Sequence, residues 1–237
     1  MSTEHKKVAV LTGGTGYVGS AIAAELKKLG WEVAILARNV AMPEGYTCDI
    51  GDEHSVRTVI TNVIEKYGTI HACIHAASAP IDQKNKMMMR VGVDDIDSHL
   101  KTTVRGAWLL AKAILPHMQT GGCFVGITTT LIEQGTSFSP LGGYIIAKYA
   151  LRGFLRVFAT EVKSLGIRVY AVAPGFMSGG LNHGIPENVI SLLAQKSGAG
   201  MTSREDVAKL VAQLCGTSAN FDTGISITLP GKKISPL

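Results

Sequence analysis

The stretch from residue 6 to residue 39 constrains the fold of this chain more than any other. An apolar run from Val8 to Leu11 leads into the glycine-rich segment Thr12-Gly13-Gly14-Thr15-Gly16-Tyr17-Val18-Gly19, and a second apolar run covers residues 33–37. Between the two runs, apolar residues recur at three- and four-residue intervals, namely Val18, Ile22, Leu26 and Leu29. Gly30 follows where a helix commonly ends. The stretch therefore predicts a strand, a glycine turn, a helix and a second strand.

The pattern Gly14-x-Gly16-x-x-Gly19 has a mechanism in this position. Its glycines permit a tight turn and a close backbone approach to a pyrophosphate, while the start of the helix presents free N–H groups to that group. A purely structural turn is the alternative, because the chain contains 27 glycines. The context between a buried strand and a helix favours dinucleotide binding.

The end of the second strand bears on which dinucleotide is bound. An acidic residue commonly holds the adenosine ribose at this point, but here the sequence is Ala37-Arg38-Asn39. A guanidinium can pair with a phosphate through two hydrogen bonds and is a poor partner for a bare ribose. Arg38 therefore favours NADP(H) over NAD(H), with a solvated arginine at a strand end as the alternative.

Length and composition exclude several classes of protein. A chain of 237 residues with 46% hydrophobic content can bury a sizeable core within one α/β domain. Its net charge of +5 comes from scattered basic residues, which suits an anionic ligand and not a nucleic acid. The first seven residues lack a hydrophobic region, and no apolar run is long enough to cross a bilayer. We expect a cytoplasmic protein that contacts neither nucleic acid nor membrane.

The cysteines and histidines do not indicate a metal. Four cysteines are far apart in the sequence (Cys48, Cys73, Cys123 and Cys215), so neither metal-ligand spacing nor a disulfide framework is present. His71 and His75 fall on one side of a predicted buried strand, without a carboxylate partner. Such histidines are more often hydrogen-bonded core residues than ligands.

The rest of the chain alternates strands with helices. Further strands are predicted at 46–49, 70–77, 123–129, 167–173 and 224–229, and helices begin near residues 52, 96, 143 and 203. This alternation predicts a single-domain, doubly wound parallel sheet of the Rossmann type, flanked by helices. Two segments, about 78–92 and 181–200, are predicted to cover a substrate. The first contains the methionine-rich run 84–90, for which a locally packed loop is the alternative.

Tyr144 and Lys148 carry the predicted chemistry. Their spacing places a phenol and an ammonium on one face of a helix, where the positive charge is expected to lower the pKa of the phenol. Such a pair is common by chance on helices. Its position is informative, because it follows the hydroxyl cluster Thr128-Thr129-Thr130 in the second half of the chain.

These features together resemble the short-chain dehydrogenase/reductase family, and in particular its 3-oxoacyl-acyl-carrier-protein reductase-like members. The resemblance covers nearly the whole chain and rests on 12–19, Cys48-Asp49-Ile50, His75-Ala76-Ala77, Ile127-Thr128-Thr129, Tyr144-x-x-x-Lys148, Pro174-Gly175-Phe176-Met177-Ser178 and Thr223-Gly224. It implies that Tyr144 is the proton donor, that Lys148 lowers its pKa and holds the nicotinamide ribose, and that Thr129 orients the substrate. It also implies a cofactor site made of Gly13, Thr15, Gly16, Tyr17, Val18, Gly19, Arg38, Asp49, Ile50, Ala76, Ala77, Tyr144, Lys148, Pro174, Gly175, Met177 and Ser178, with Asp49 at the adenine and Ser178 at the nicotinamide.

Several positions depart from the family pattern. Tyr17 occupies a position that is usually glycine, and the segment 75–78 replaces an Asn-Asn-Ala-Gly sequence. Thr129 stands where the family has a serine, with Thr130 as a rival assignment. Thr103 stands where the family has an asparagine that supports a water relay.

The resemblance implies an NADPH-dependent reductase that converts a ketone or a 3-oxoacyl thioester to the alcohol. It further implies a homodimer or homotetramer. The departures at Thr103 and Thr129 leave a second reading open, in which a catalytically degenerate member binds nucleotide and acts as a regulatory or interaction protein.

Overall fold

The computed structural model describes residues 6–81, 88–133, 141–198, 200–216 and 221–237. Its strands form one eight-stranded sheet in the order β3-β2-β1-β4-β5-β6-β7-β8. The strands are β1 (Val8–Thr12), β2 (Glu32–Ala37), β3 (Gly45–Thr47), β4 (Ile70–His75), β5 (Met118–Ile127), β6 (Arg168–Pro174), β7 (Ile225–Leu229) and β8 (Ile234–Pro236). The predicted doubly wound sheet is confirmed.

Helices cover both faces of this sheet. They are α1 (Tyr17–Lys28), α2 (Glu53–Tyr67), α3 (Val93–Leu100), α4 (Gly106–Ile114), α5 (Gly142–Glu161), α6 (Glu187–Ser197) and α7 (Arg204–Cys215). The sequence places Asp52 and Ser203 at the starts of two predicted helices, where such residues commonly act as caps, and both caps are present. Asp52 accepts the backbone N–H of Ser55 at the start of α2, and Ser203 accepts that of Asp206 at the start of α7.

The strand order reverses direction beside β1. The chain runs outward from β1 through β2 to β3, and then returns to place β4 on the other side of β1. All pairs from β3 to β7 are parallel, so the carboxyl ends of these strands lie at one edge and open a crevice where the order reverses. The last strand, β8, pairs antiparallel with β7 and was not predicted from the sequence.

The core consists of two apolar layers, one on each face of the sheet. On one face, α2, α4 and α5 contribute Val59, Leu110 and Leu155. On the other face, Leu26 of α1 and Leu210 of α7 pack on the strands. Because parallel strands are buried on both faces, their sequences are almost continuously apolar.

The predicted helix from residue 96 to residue 115 is divided. A π-helical turn, Lys101–Arg105, separates α3 from α4. The wider turn changes which residues face the core, so Leu109 and Leu110 are buried while Trp108 is 48% exposed. The apolar spacing between residues 96 and 115 of the sequence predicts that Trp108 lies in a buried stripe, and this prediction was wrong for this reason.

The predicted substrate segment 181–200 is more ordered than its three glycines suggested. It contains the helix α6, whose Ile190 and Ala194 are buried in a small cluster with Leu131 and Phe176. The first substrate segment contains a short 3₁₀ turn, Met88–Arg90, and its residues 82–87 lie outside the described part of the chain.

The expected absence of disulfides agrees with the cysteines, since all four are buried free thiols. Within the described residues, no helix is long and apolar enough to cross a membrane.

Candidate active site

A cavity of about 570 Å³ opens at the carboxyl ends of the parallel strands. It is lined by most of the predicted site residues, namely Gly13, Thr15, Gly16, Tyr17, Val18, Gly19, Arg38, Asp49, Ile50, Ala76, Ala77, Thr129, Tyr144, Lys148, Pro174, Gly175 and Met177. Residues far apart in the sequence are therefore brought to one site. Thr103 and Ser178 are the two predicted residues that do not line it.

The glycine turn at the floor of the cavity is built by close backbone approaches. Gly13 has a positive φ of 69°, and a side chain there would lie 2.8 Å from the backbone nitrogen of Ala77. A side chain at Gly19 would collide with the carbonyl group of Gly13. The helix α1 begins directly after this turn, and the first N–H groups of a helix have no partner within it. The turn can therefore receive an anionic group.

Arg38, Asp49 and Lys101 form the charged end of the cavity. Asp49 accepts a hydrogen bond from Lys101 over 2.9 Å. The Lys101 ammonium lowers the pKa of the Asp49 carboxyl, aided by the backbone N–H of Gly51 and the charge of Arg38. The sequence beside Arg38 contains no carboxylate, but the fold brings Asp49 close enough for the charge of Arg38 to act on it. Arg38 itself is exposed and forms no ion pair with another described residue.

His75 connects the glycine turn to the π-helical turn. Its Nδ1 lies 3.0 Å from the hydroxyl of Thr12, which also accepts the backbone N–H of Ala77. Its Nε2 lies 3.1 Å from the carbonyl oxygen of Thr103. Because that carbonyl can only accept, Nε2 carries the proton and Nδ1 accepts from Thr12. Burial lowers the pKa of His75 to about 3, which keeps the ring neutral. The predicted role as a hydrogen-bonded core residue agrees with this arrangement.

Tyr144, Lys148 and Thr129 meet beside the end of β5. The Lys148 ammonium lies 5.4 Å from the centre of the Tyr144 ring and donates a hydrogen bond to the carbonyl of Ile127 over 2.7 Å. The hydroxyl of Thr129 accepts the backbone N–H of Leu131 and acts on the Tyr144 phenol, whose pKa it lowers. Two hydroxyls and an ammonium therefore converge on one part of the cavity.

The electrostatics of this group differ from the sequence prediction. Burial raises the pKa of Tyr144 to about 12, and the Thr129 hydroxyl opposes this rise. Burial also lowers the pKa of Lys148 to about 8. The predicted lowering of the phenol pKa was wrong for this structure, because the loss of solvent around the phenol dominates its pKa. At neutral pH the phenol is protonated, as a proton donor must be.

The three neighbouring threonines face different ways. Thr128 and Thr130 donate hydrogen bonds to the carbonyls of Val172 and Pro174 on β6. Thr129 faces Tyr144. β5 ends at Ile127, two residues before the predicted end, yet the alternation of side chains continues through Thr129.

Thr103 and Ser178 lie outside the cavity lining for different reasons. Thr103 is fully buried below the cavity, and its backbone carbonyl is bonded to His75. Ser178 is exposed and its hydroxyl donates to Glu187 on α6, so it does not face the nicotinamide side as expected. The helix α6, which the sequence reading missed, accounts for the second correction.

Other cavity residues were not foreseen. Ser98, Lys101 and Thr102 come from α3 and the π-helical turn, and the turn Gly180–Asn182 closes another side. The ring of Tyr17 packs against Gly179 and Gly180, where added side chains would lie within 3.0 Å of it. Nothing in the sequence around Tyr17 or around Gly179 and Gly180 indicates that these residues are in contact, because they are far apart along the chain. Among the described residues, no cluster of histidine, cysteine or acidic side chains could hold a metal.

Comparisons with known proteins agree with this fold. The family model described as enoyl-(acyl carrier protein) reductase matches residues 16–231. Human 3-oxoacyl-acyl-carrier-protein reductase is 29% identical over 184 residues, covering 72% of this chain and 76% of its own. The Salmonella typhimurium enzyme of the same name is 26% identical over 237 residues, covering 95% and 96%.

Solved structures show the same architecture. A short-chain dehydrogenase from Burkholderia cenocepacia, in complex with NADP, superposes with a TM-score of 0.78 at 25% identity over 93% of this chain and 95% of its own. A short-chain dehydrogenase/reductase from Serratia marcescens gives a TM-score of 0.82 at 22% identity, over 93% and 94%.

A doubly wound sheet with a glycine turn and a tyrosine–lysine pair in the cavity at its carboxyl edge defines an oxidoreductase of the dinucleotide-binding class. The chain belongs to the short-chain dehydrogenase/reductase family, as the sequence resemblance predicted.

Proposed function

We propose that this protein is an NADPH-dependent reductase that converts a ketone or a 3-oxoacyl thioester to the corresponding alcohol. The observation that carries the proposal is that Thr129, Tyr144 and Lys148 line one cavity, with the Lys148 ammonium 5.4 Å from the centre of the Tyr144 ring and the Thr129 hydroxyl lowering the pKa of the phenol. A protonated phenol beside a second hydroxyl is suited to receive a carbonyl oxygen on which negative charge develops.

The cofactor, when bound, supplies the hydride that reduces the carbonyl carbon. The glycine turn from Gly13 to Gly19 would hold the pyrophosphate, Asp49 and Ile50 the adenine, and Arg38 the 2′-phosphate. The preference for NADPH rests on Arg38. It is supported by the relative from Burkholderia cenocepacia, whose structure is described in complex with NADP.

The chain's own residues supply the proton. Tyr144 donates it from its hydroxyl to the carbonyl oxygen of the substrate, and the O–H bonding pair remains on the phenolate oxygen. Thr129 orients the same carbonyl, and Lys148 stabilises the phenolate by its charge. Thr129 and Lys148 act most strongly in the transition state, where negative charge has developed on the oxygen atoms. Interactions that are stronger in the transition state than in the ground state accelerate the reaction.

Apolar side chains form part of the cavity lining. They include Ile81, Leu131, Leu141, Phe176 and Leu181, beside the charged residues Arg38, Asp49, Lys101 and Lys148. This lining suits a carbonyl on a hydrocarbon chain. Relatives named 3-oxoacyl-acyl-carrier-protein reductase support a 3-oxoacyl thioester.

A panel of substrates tests this proposal. NADPH oxidation would be followed with 3-oxoacyl thioesters of increasing chain length, simple ketones and a 2-enoyl thioester, with Tyr144→Phe protein as the control. We expect the 3-oxoacyl compounds to react and Tyr144→Phe to be nearly inactive. Reaction with the enoyl thioester alone would assign the chain to double-bond reduction, and no reaction with any compound would favour the nucleotide-binding regulatory protein.

We also propose that the protein forms a homodimer or homotetramer and acts in the cytoplasm. The exposed side chains of Trp108 on α4 and of Tyr149 and Val157 on α5 support an oligomer, since large apolar residues at the surface favour association. Light scattering on the purified protein would measure its mass, and a monomer would contradict the first part. Fractionation of expressing cells would test the second.

A further inference from the structure

Glu133 is a buried carboxylate that the proposed reaction does not use. Its side chain is only 6% exposed, and its Oε2 lies 3.0 Å from Nη1 of Arg152. The hydroxyl of Ser226 donates to Oε1 over 2.7 Å, and that of Ser235 donates to Oε2 over 3.4 Å. Both carboxylate oxygens therefore have partners, and these partners come from three different elements, α5, β7 and β8.

Arg152 forms the other half of this ion pair. It lies on α5, and its Nη2 donates a hydrogen bond to the carbonyl oxygen of Pro236 in β8 over 2.9 Å. Lys148 precedes it by four positions and Tyr144 by eight, so the three side chains lie on one side of the helix. The ion pair with Glu133 is therefore one helical turn beyond the tyrosine–lysine pair.

The segment that carries Thr129 is attached to α5 on both sides of this residue. Two positions before it, the carbonyl of Ile127 accepts the hydrogen bond from Lys148 over 2.7 Å. Four positions after it, Glu133 pairs with Arg152. Two cationic side chains of one helix thus hold the segment on either side of the hydroxyl that the reaction uses.

A tight 3₁₀ turn connects Thr129 to Glu133. The backbone N–H of Glu133 donates to the carbonyl of Thr130 over 3.0 Å, and that of Ile132 donates to the carbonyl of Thr129 over 3.3 Å. The hydroxyl of Thr129 also accepts the N–H of Leu131 over 3.4 Å. Because these hydrogen bonds close the turn, a displacement of Glu133 is transmitted to the Thr129 hydroxyl.

Stability alone does not explain a buried ion pair. Taking two charges out of water costs free energy that their attraction often fails to recover, and well-packed apolar residues of similar volume often serve folding as well. A guanidinium and a carboxylate do supply a fixed relative geometry, because their hydrogen bonds are directional. Glu133 and Arg152 meet between the two segments whose alignment the reaction needs.

We propose that Glu133 and Arg152 are positioning residues that fix the hydroxyl of Thr129 relative to the phenol of Tyr144. The inference rests on the proposed reductase function. Neither Glu133 nor Arg152 lines the cavity, so each acts through Thr129 and not by contact with substrate or cofactor. A hydroxyl displaced by about 1 Å would lose its alignment with the substrate carbonyl, and such a displacement can cost roughly 100-fold in rate.

Steady-state kinetics of Glu133→Gln and Arg152→Gln test the proposal. Glutamine keeps the shape of glutamate and an oxygen that can accept from Ser226, so the first substitution removes mainly the charge. Each variant should lower kcat roughly 10- to 100-fold, because Thr129 acts in the transition state. We expect KM to change less than about threefold and the Kd for NADPH less than about twofold. Arg156→Gln makes the same change at an exposed position one turn farther along α5, and this matched control should leave kcat unchanged.

A double-mutant cycle with Thr129→Val separates positioning from a general loss of structure. If Glu133 acts through the Thr129 hydroxyl, Glu133→Gln should change kcat less than about twofold once that hydroxyl is absent. A substitution that only disturbs the fold would lower kcat by the same factor in both backgrounds. Titration of the active sites with NADPH corrects each rate for unfolded protein. Equal factors in the two backgrounds, or an unchanged kcat in the single variants, would overturn the proposal.

Crystal structures of the wild type and of Glu133→Gln give a test that does not depend on turnover. We expect the Thr129 hydroxyl to lie farther from the Tyr144 oxygen in the variant, while β5 and α5 keep their positions. An unchanged Thr129 would contradict the proposal and leave the reductase function intact. A wild type that reduces no carbonyl compound would remove the proposed function, whereas a displaced Thr129 in the variant would still show that the ion pair fixes this hydroxyl.

Discussion

The ammonium of Lys148 donates a hydrogen bond to the carbonyl oxygen of Ile127, at the carboxyl end of β5, over 2.7 Å. This bond satisfies one proton of a side chain that is only 3% exposed. It does not replace the lost hydration, because burial lowers the pKa of Lys148 from 10.5 to about 8. The protein therefore holds a charge at its proposed active site at a cost to its stability.

Lys148→Met should make the protein more stable and inactive. A pKa that is lower in the folded state means that folding opposes the charged form, so the cost is fully present below about pH 8 and disappears as the pH rises towards 10.5. The pKa shift of Lys148 corresponds to a destabilisation of the folded protein by roughly 3 kcal/mol, which methionine would remove. The substitution would also leave the Ile127 carbonyl unpaired, which costs about 1–2 kcal/mol. We expect a net gain of about 1 kcal/mol in the free energy of unfolding at neutral pH.

Urea unfolding at about pH 7 and about pH 10 would measure this gain and its decline. Lys209→Met, which removes an exposed lysine on α7, is the control and should change stability little at either pH. A Lys148→Met protein that is less stable at pH 7 would show that the hydrogen bond to Ile127 outweighs the cost of burial.

Tyr144→Phe should remove turnover and spare cofactor binding. Burial raises the pKa of Tyr144 to about 12, so the phenol holds its proton at neutral pH and can donate it. Loss of that proton donor should lower kcat by roughly 10²- to 10⁴-fold, with the Kd for NADPH changed less than about twofold. Tyr149→Phe changes the same type of residue on the exposed side of the same helix and should be neutral. Comparable turnover by both variants would show that another group supplies the proton.

The sequence predicted the parts of the fold that depend on local pattern. The strand–glycine–helix unit, the caps at Asp52 and Ser203 and the tyrosine–lysine pair all follow from spacings within a few turns of the chain. Residues that follow strands and that the sequence assigns to the cofactor site, such as Asp49 and Ala77, line the cavity. Parallel strands bring their carboxyl ends together, so these positions converge in any sheet of this order.

The failures came from contacts between distant segments. Nothing near Trp108 indicates that a π-helical turn shifts the helix, and nothing near Ser178 indicates that Glu187 will accept its hydroxyl. The pKa of Tyr144 was predicted in the wrong direction because the charge of Lys148 is visible in the sequence, whereas the burial of the phenol is not. His75 and Thr103 bond across 28 positions, a distance that no periodicity reveals.

Thr129→Val and Thr130→Val should have different effects. Thr129 lines the cavity beside Tyr144 and its hydroxyl acts on the phenol, so valine should lower kcat more than it raises KM, by roughly 2–4 kcal/mol in activation free energy. Thr130 donates to the Pro174 carbonyl, so valine there should cost about 1 kcal/mol of stability with little change in kcat. Steady-state kinetics and urea unfolding on both proteins would separate the two roles. The reverse pattern would assign the substrate hydroxyl to Thr130.

Arg38→Asp should weaken NADPH binding and relatively favour NADH. Asp49 is the nearby carboxylate, but its hydrogen bond to Lys101 leaves the guanidinium of Arg38 available to a phosphate. Loss of a charge-assisted hydrogen bond, together with repulsion by the new carboxylate, should raise the Kd for NADPH roughly 10- to 100-fold. An aspartate can accept a hydrogen bond from the ribose hydroxyl of NADH, so the Kd for that cofactor should change little or fall.

Direct titration of both cofactors at two salt concentrations measures this preference. Because Arg38 is exposed, its attraction for the 2′-phosphate should weaken as salt screens the charges, and the advantage of NADPH over NADH should shrink with it. Arg57→Asp is the matched control, since it makes the same charge change at an exposed position on α2 outside the cavity. If the unmodified protein binds NADH more tightly than NADPH, Arg38 does not select the cofactor. If Arg57→Asp weakens NADPH binding as much as Arg38→Asp does, the effect comes from the net charge of the protein and not from a contact with the phosphate.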